Sequence, residues 1–295
     1  MRIFLILVVI FLQCTSIALA GKSFSGNVEK IDLNIRSHEM AISFFRLSDG
    51  EATLIQGPNN QNILVNVGGG QSKREMDRWL SLYDVKKVTM LILTGAHALH
   101  LEQVNHLVNR YHIKEIASSQ QITKQIAENL DVGNQIVIKS WKEETKTELF
   151  PELSAVVQYV GSEKNEGLDF TLQFFKHHLF LMSSFSQHAK EKLLTKNLGE
   201  IKVFKVPANA NEDLLSEKLV KHVDSQISIL TAGGNHHPNP ELISDLLKTW
   251  SEVYFTKTHG TVTIKFTKSH YEVFTILEDG SDYKNFGLRE CFRII

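Results

Sequence analysis

Cysteine is scarce: two in 295 residues, Cys14 and Cys291. Cys14 lies inside an N-terminal leader-like stretch, so a processed chain keeps one thiol and cannot form an internal disulfide. A core, not covalent staples, must hold the protein together. Charge of one sign is also missing. With 32 basic and 33 acidic residues and no long run of either, there is no strong nucleic-acid signature, and at most a local groove could bind phosphates. No Pro/Ser-rich hinge divides the chain. Ser183-Ser184 and His188 lack a Gly-x-Ser-x-Gly elbow, which excludes that type of serine hydrolase. Gly68-Gly69-Gly70 lacks the Lys-Ser/Thr of a P-loop and reads as a turn.

What is present begins at the N-terminus. Arg2, the apolar run Ile3 to Phe11 and the small-x-small pattern Ala18-Leu19-Ala20 predict a signal peptide, residues 1–20, cut before Gly21. A membrane span needs about 17 apolar residues, and Gln13, Thr15 and Ser16 interrupt this one early. Membrane contact is therefore expected only through the leader if it stays uncleaved, and the location is secreted or extracytoplasmic. Gln13 precedes Cys14 where a lipoprotein signal wants a small residue. Cys291, in LRECFRII, is expected in the core, with pairing between chains as its alternative.

Along the chain, Glu39 to Leu47, Ala52 to Gln56 and Asn62 to Val67 are short β-rich runs separated by Asp49-Gly50 and Gly57-Pro58-Asn59-Asn60, the pattern of an antiparallel meander. The period then changes: Met76, Trp79, Leu80 and Tyr83 form a helical stripe in Ser72 to Tyr83, followed by the apolar run Val88 to Leu93. Helices at Leu99 to Tyr111 and Gln120 to Leu130 alternate with strands at Ile113 to Ala117 and Gln135 to Ile138. Lys139 to Glu152 reads as a charged, solvated connection. Beyond it the pattern recurs: strands at 155–160, 170–175 and 178–182, then helices at 186–196, 212–222 and 240–250 alternating with strands at 203–206, 227–231 and 252–255. Strands at 260–266 and 270–276 follow. Two successive halves of this kind predict an α/β chain of two mixed sheets packed face to face with helices outside, a four-layer αββα sandwich in one domain, residues 21–295.

The segments ISFFRLSDGEATLIQ, NILVNVG and LILTGAHALH resemble, in order, the opening motifs of metallo-β-lactamase-fold hydrolases. The resemblance is to the extracytoplasmic domain of ComEC-type competence proteins in particular. There the motifs run Asp-Val-Gly-Gln-Gly-Asp, Leu-Ile-Asp-Thr-Gly and Ser/Thr-His-x-His/Asp-x-Asp-His. Later, FLMSSF stands at a Leu-x-Gly-Asp strand end, KVPANAN at Lys-Val-Pro-His-His-Gly-Ser, NHHP at a Gly-His-Pro turn and TKTHGTV at the closing strand. The resemblance covers nearly the whole chain after the leader and implies a metal-dependent hydrolase of phosphodiester or nucleic-acid type, with the αββα fold.

A two-zinc site needs imidazoles and carboxylates converging on each ion. The resemblance places Gly95 at the first ligand histidine, Leu99 at the aspartate of the second metal, Ser184 at the bridging aspartate, Ala208 at the Val-Pro-His histidine and Asn66 at a supporting aspartate. His97 and His100 remain from the core set, three apart, a spacing that one helical turn would place on one side. With His237 they form the candidate set for one zinc or manganese ion; His259 is a weaker third partner. The expectation is an exported pseudoenzyme with no catalytic residues and no cofactor. Its remnant cleft, rimmed by Asn66, Gly95, Leu99, Ser184, Ala208, Asn209 and His236, binds a small molecule, polymer or protein. The alternative is a hydrolase working with a single ion. Elsewhere, His106 and His112 read as surface or helix-end residues and His177-His178 as a turn. Lys202, Lys205, Lys218 and Lys221 read as parts of a solvated face.

Overall fold

The structure is a computed structural model, and it describes residues 30–130, 136–163, 165–207, 215–231, 239–278 and 288–294. The leader therefore lies outside the described residues. Strands β1 (Met40–Phe44), β2 (Thr53–Gly57) and β3 (Gln61–Val65) form the opening meander. Helix α1 (Lys73–Leu82) leads to β4 (Met90–Ile92), α2 (Leu101–Tyr111) to β5 (Glu115–Ser119), and α3 (Gln120–Asn129) to β6 (Val137–Trp141). A second meander of β7 (Lys146–Phe150), β8 (Leu153–Val160), β9 (Leu168–Phe174) and β10 (His177–Leu181) is followed by α4 (Gln187–Leu193) and β11 (Ile201–Val206). Then come α5 (Glu217–Val223), β12 (Ile227–Leu230), α6 (Pro240–Lys248), β13 (Glu252–Phe255), the single turn α7 (Thr256–His259), β14 (Thr261–Phe266), β15 (Tyr271–Glu278) and β16 (Leu288–Ile294).

Two sheets result, one ordered β16-β15-β14-β1-β2-β3-β4-β5-β6 and the other β13-β12-β11-β10-β9-β8-β7. Their inner faces share one core, in which Ile42, Phe44, Ile55 and Ile264 of the first sheet meet Leu153, Phe170, Phe174 and Val203 of the second. On the outer face of the first sheet, Met76, Trp79 and Leu80 of α1 and Val104, Leu107 and Val108 of α2 bury against Leu54, Leu64 and Leu91. Ala189, Leu193, Leu219, Val220 and Leu246 of α4 to α6 do the same against Phe180 and Phe204 of the second. This is the expected four-layer arrangement. Several helices begin where their caps dictate: the Ser186 hydroxyl accepts the Ala189 amide at 3.0 Å, and Asn239, followed by Pro240, accepts the Glu241 amide at 2.9 Å. Among the described residues no helix is long and apolar enough to cross a membrane.

Three expectations are corrected. Lys139 to Glu152 is not a solvated connection: it contains the end of β6 and all of β7, and it carries the chain from one sheet to the other. The charges of Lys146 and Glu148 lie on the exposed side of a sheet edge, the usual protection of such a strand. The two halves do not each keep to their own sheet, because β14 pairs antiparallel with β1 and brings β15 and β16 back to the first sheet. His177-His178 is not a turn. These residues open β10, and His177 is buried, its Nε2 bonded to the Thr267 carbonyl oxygen at 3.0 Å. After α6, Trp250 adopts a left-handed conformation (φ 61°) and is 94% exposed, whereas Trp79 and Trp141 are buried.

Candidate functional site

The parallel strands β3 and β4 of one sheet and β10, β11 and β12 of the other end at a common rim, where an open sheet gathers its functional loops. Asn66 follows β3, Thr94 and Gly95 follow β4, Ser183 and Ser184 follow β10, and Thr231 follows β12. Two buried polar networks occupy this rim.

The first spans the sheets. Glu51, just before β2, accepts a hydrogen bond from the Lys205 ammonium at 2.5 Å and from the Thr231 hydroxyl at 2.9 Å. It also accepts one from the Asn66 amide at 3.0 Å. Lys205 additionally donates to the Met182 carbonyl at 3.3 Å. Asn66 sits in the left-handed region (φ 61°), a conformation asparagine tolerates better than most residues. Its Oδ1 accepts the Thr94 amide at 2.9 Å, and its Nδ2 reaches the Thr94 hydroxyl at 3.0 Å. Reading Lys205 as part of a solvated face was therefore wrong. It lies on the inward-facing row of β11 with Val203, and its charge is neutralised by Glu51 inside the molecule.

The second network lies within the other sheet. Leu168, Phe170 and Leu172 face the inter-sheet core, so Asp169 turns to the opposite face, toward the layer of Tyr159 and Met182. Its Oδ1 accepts the Ser183 amide at 2.6 Å, the Ser184 amide at 2.9 Å and the Ser183 hydroxyl at 3.1 Å. Its Oδ2 is buried with no hydrogen-bond partner. Burial pushes the Asp169 carboxyl up to about 6, against the opposing pull of the bonds from Ser183 and Ser184. The Ser184 hydroxyl oxygen accepts the Gly167 amide at 2.9 Å, and the Leu168 amide donates to the Thr94 carbonyl at 2.5 Å, tying the sheets together again. Nearby, burial pushes Glu166 up, but bonds from Ser186 (2.5 Å), Tyr159 and the Glu163 amide outweigh it and leave this carboxyl below the usual range.

The structure thus brings Asn66, Gly95 and Ser184 to one rim. His97 belongs to a single 3-10 turn, Ala96–Ala98, while Leu99 (φ −90°, ψ 90°) is non-helical, His100 is extended and α2 starts after them. One helical turn therefore does not carry both histidines, and Leu99 packs against the outer core of the first sheet. The His97 side chain, Ala208, Asn209, His236 and His237 lie outside the described residues. His259 is committed elsewhere, its Nδ1 bonded to the Phe255 backbone. His188 stacks edge-on against Tyr159. Ser183 bonds to Asp169 and the Leu168 carbonyl. Sequence reasoning missed Glu51, Lys205 and Asp169. A signal existed for the last two: each is a charge inside an apolar strand run, VFKV or LDFTL, where an unpaired ion would be costly.

No protein-family model and no curated protein matches the sequence. Among solved structures, the chain is similar to the metallo-β-lactamase fold protein YhfI from Bacillus subtilis (TM-score 0.56, 11% identity, 74% of this chain and 96% of that one). It is similar to Zn(2+)-bound PqqB from Methylobacterium extorquens (TM-score 0.54, 8% identity, 73% and 97%). A diphosphatase from the PhnP family matches at TM-score 0.52 and 12% identity, over 77% and 98%. The chain has the metallo-β-lactamase fold.

Whether this metallo-β-lactamase frame suits zinc, which the PqqB structure binds, depends on the donors at its rim. Gly95 has no side chain and Leu99 no donor atom. The Ser184 oxygen is engaged by Gly167, and in the two networks described above the carboxylate oxygen without a partner is Asp169 Oδ2, fully buried on the helix-covered face. Among the described residues no three His, Cys, Asp or Glu side chains come together to hold an ion. These donors do not fit a two-metal centre.

Proposed function

We propose that the protein is an exported pseudoenzyme of the metallo-β-lactamase fold, related to the ComEC-type extracytoplasmic domain, whose remnant cleft binds a small molecule, a polymer end or a protein partner. One observation carries this reading: position 184, where the family pattern has its bridging aspartate, is a buried serine bonded inward to the Gly167 amide. Gly95 and Leu99 at ligand positions, and Ala208 at another, agree with it. The leader pattern, Arg2 through Ala20, supports export. A hydrolase using one zinc or manganese ion at His97, His100 and His237 is the competing reading. It is favoured by the survival of two motif histidines, and it lacks any carboxylate to balance the ion's charge.

The test is to express residues 21–295, measure zinc and manganese by elemental analysis, and assay a generic phosphodiester with added metal. The expected result is under about 0.1 equivalent of metal and no turnover that depends on His97. Stoichiometric metal that disappears in His97→Ala and His100→Ala would overturn the proposal.

A further inference from the structure

We infer that the metal-free state is built into the frame of the site as well as into its missing ligands. Resting on the pseudoenzyme reading, the inference is that putting the ligand side chains back will not recreate a zinc centre. The obstacle is a clasp formed by Thr94, Gly167, Ser184 and Asp169.

The loop from β8 to β9 ends at Gly167, which lies between the two sheets. A Cβ added to Gly167 would fall 2.3 Å from the Thr94 carbonyl oxygen and 2.6 Å from the Ser183 hydroxyl, so no side chain fits there. From this position the Gly167 amide donates to Ser184, the neighbouring Leu168 amide donates to Thr94, and the Ser184 hydroxyl faces the Gly167 carbonyl at 3.4 Å. Ser184 is 0% exposed, and its backbone amide donates to Asp169 Oδ1 at 2.9 Å, which sets the two side chains side by side. An aspartate at 184 has no open space ahead of it. Its carboxylate would meet a carbonyl oxygen and the buried Asp169 carboxylate, and two acidic groups in such a place cannot both ionise. Position 95 differs: its backbone is extended (φ −177°), a conformation any residue adopts, so a histidine there meets no backbone strain. Of positions 95 and 184, the block therefore lies at the bridging position, in the second sheet.

The clasp makes a prediction that plain steric crowding does not. If the clash is electrostatic, changing Asp169→Asn should relieve it, because the amide can still accept the Ser183 and Ser184 amides through its oxygen while its nitrogen donates to the new carboxylate. The experiment compares S184D, S184D/D169N, the triple variant G95H/L99D/A208H and the quadruple variant that adds S184D to the triple, all by thermal unfolding and zinc calorimetry. S184D alone is expected to lower Tm by about 8 °C or more, and S184D/D169N to recover at least about half of that loss. The triple variant separates the block at 184 from the cost of the other changes, which include a charge at Leu99 against the outer core, and the quadruple variant is expected to unfold at least about 8 °C below it. The quadruple variant is expected to take up less than about 0.2 equivalent of zinc. Two zinc ions bound by the quadruple variant at an undiminished Tm, or S184D as stable as the parent, would overturn the inference. Either result would leave the pseudoenzyme reading standing if the unaltered protein still carries no metal. Metal in the unaltered protein would overturn that reading without touching the S184D result.

Discussion

The two polar networks at the rim are built from similar groups and end differently. Around Glu51, the three described donors Lys205, Thr231 and Asn66 converge on one carboxylate, and both of its oxygens are bonded. Around Asp169, three donors crowd onto one oxygen and the other has none. The first network joins the sheets and balances a buried anion with a buried cation. The second holds a turn in place with an acid that burial drives toward its neutral form. Buried charge is sustainable when its partners are protein groups facing it, and protonation is the alternative where they are not.

Removing the cation is the most severe way to disturb this contrast. Lys205→Met should destabilise the protein by about 3–5 kcal/mol, because Glu51 is left as an uncompensated buried charge. Lys205→Met with Glu51→Leu should recover much of that loss. Urea unfolding of the three proteins measures it, and equal losses in the single and double variants would show that the pair is not the cause.

Next in size is the pH response of Asp169. Its folded value of about 6 is raised above that of an ordinary aspartate, 3.8. The folded chain therefore holds this proton more tightly than the unfolded chain. The resulting stability is fully present below the ordinary value and lost as pH rises through about 6, a change of about 2–3 kcal/mol. Asp169→Asn should remove this component, so unfolding free energies of the parent and the variant should diverge between pH 4 and pH 7 by about that amount. Parallel pH profiles would refute the assignment.

A smaller effect, about 2 kcal/mol, is expected from Asn66→Asp, which places there the aspartate of the motif the sequence resembles. The amide that donates to Glu51 at 3.0 Å would become a second carboxylate facing it. A variant as stable as the parent would show that Glu51 does not need this donor. The smallest change, under about 1 kcal/mol, is expected from His106→Ala on the surface between α1 and α2. Asp77 loses His106 at 2.9 Å but keeps Arg110 at 3.2 Å.

How far the sequence could be read depended on which interactions leave a local trace. The αββα plan was readable because Met76, Trp79 and Leu80 repeat at helical spacing, and because runs such as NILV and VTMLIL sit between turn residues. Strand β7 was not, since an edge strand with charged residues on its open side resembles a solvated loop. The return of β14 to β1 leaves no periodic signal either: Ser43 and Thr263 are bonded at 2.9 Å but lie far apart in the chain. At the site, Gly95, Leu99 and Ser184 could be matched to motif positions one residue at a time. The partnership of Glu51 with Lys205 could not, because it exists only once the two sheets face each other. In hindsight both residues fall at acidic and basic positions of the quoted motifs, Gly-Asp and Lys-Val-Pro.

The three tryptophans are distributed so that each marks a different layer. Trp79 stacks on Phe45 outside the first sheet, Trp141 meets Phe170 edge-on in the inter-sheet core, and Trp250 stands in solvent. Light emitted by this protein therefore has three separable sources. Iodide should quench the Trp250 component in the native state and spare the other two. As denaturant is added, the order in which Trp79 and Trp141 shift to the red would reveal whether the helix layer or the sheet-to-sheet contact opens first.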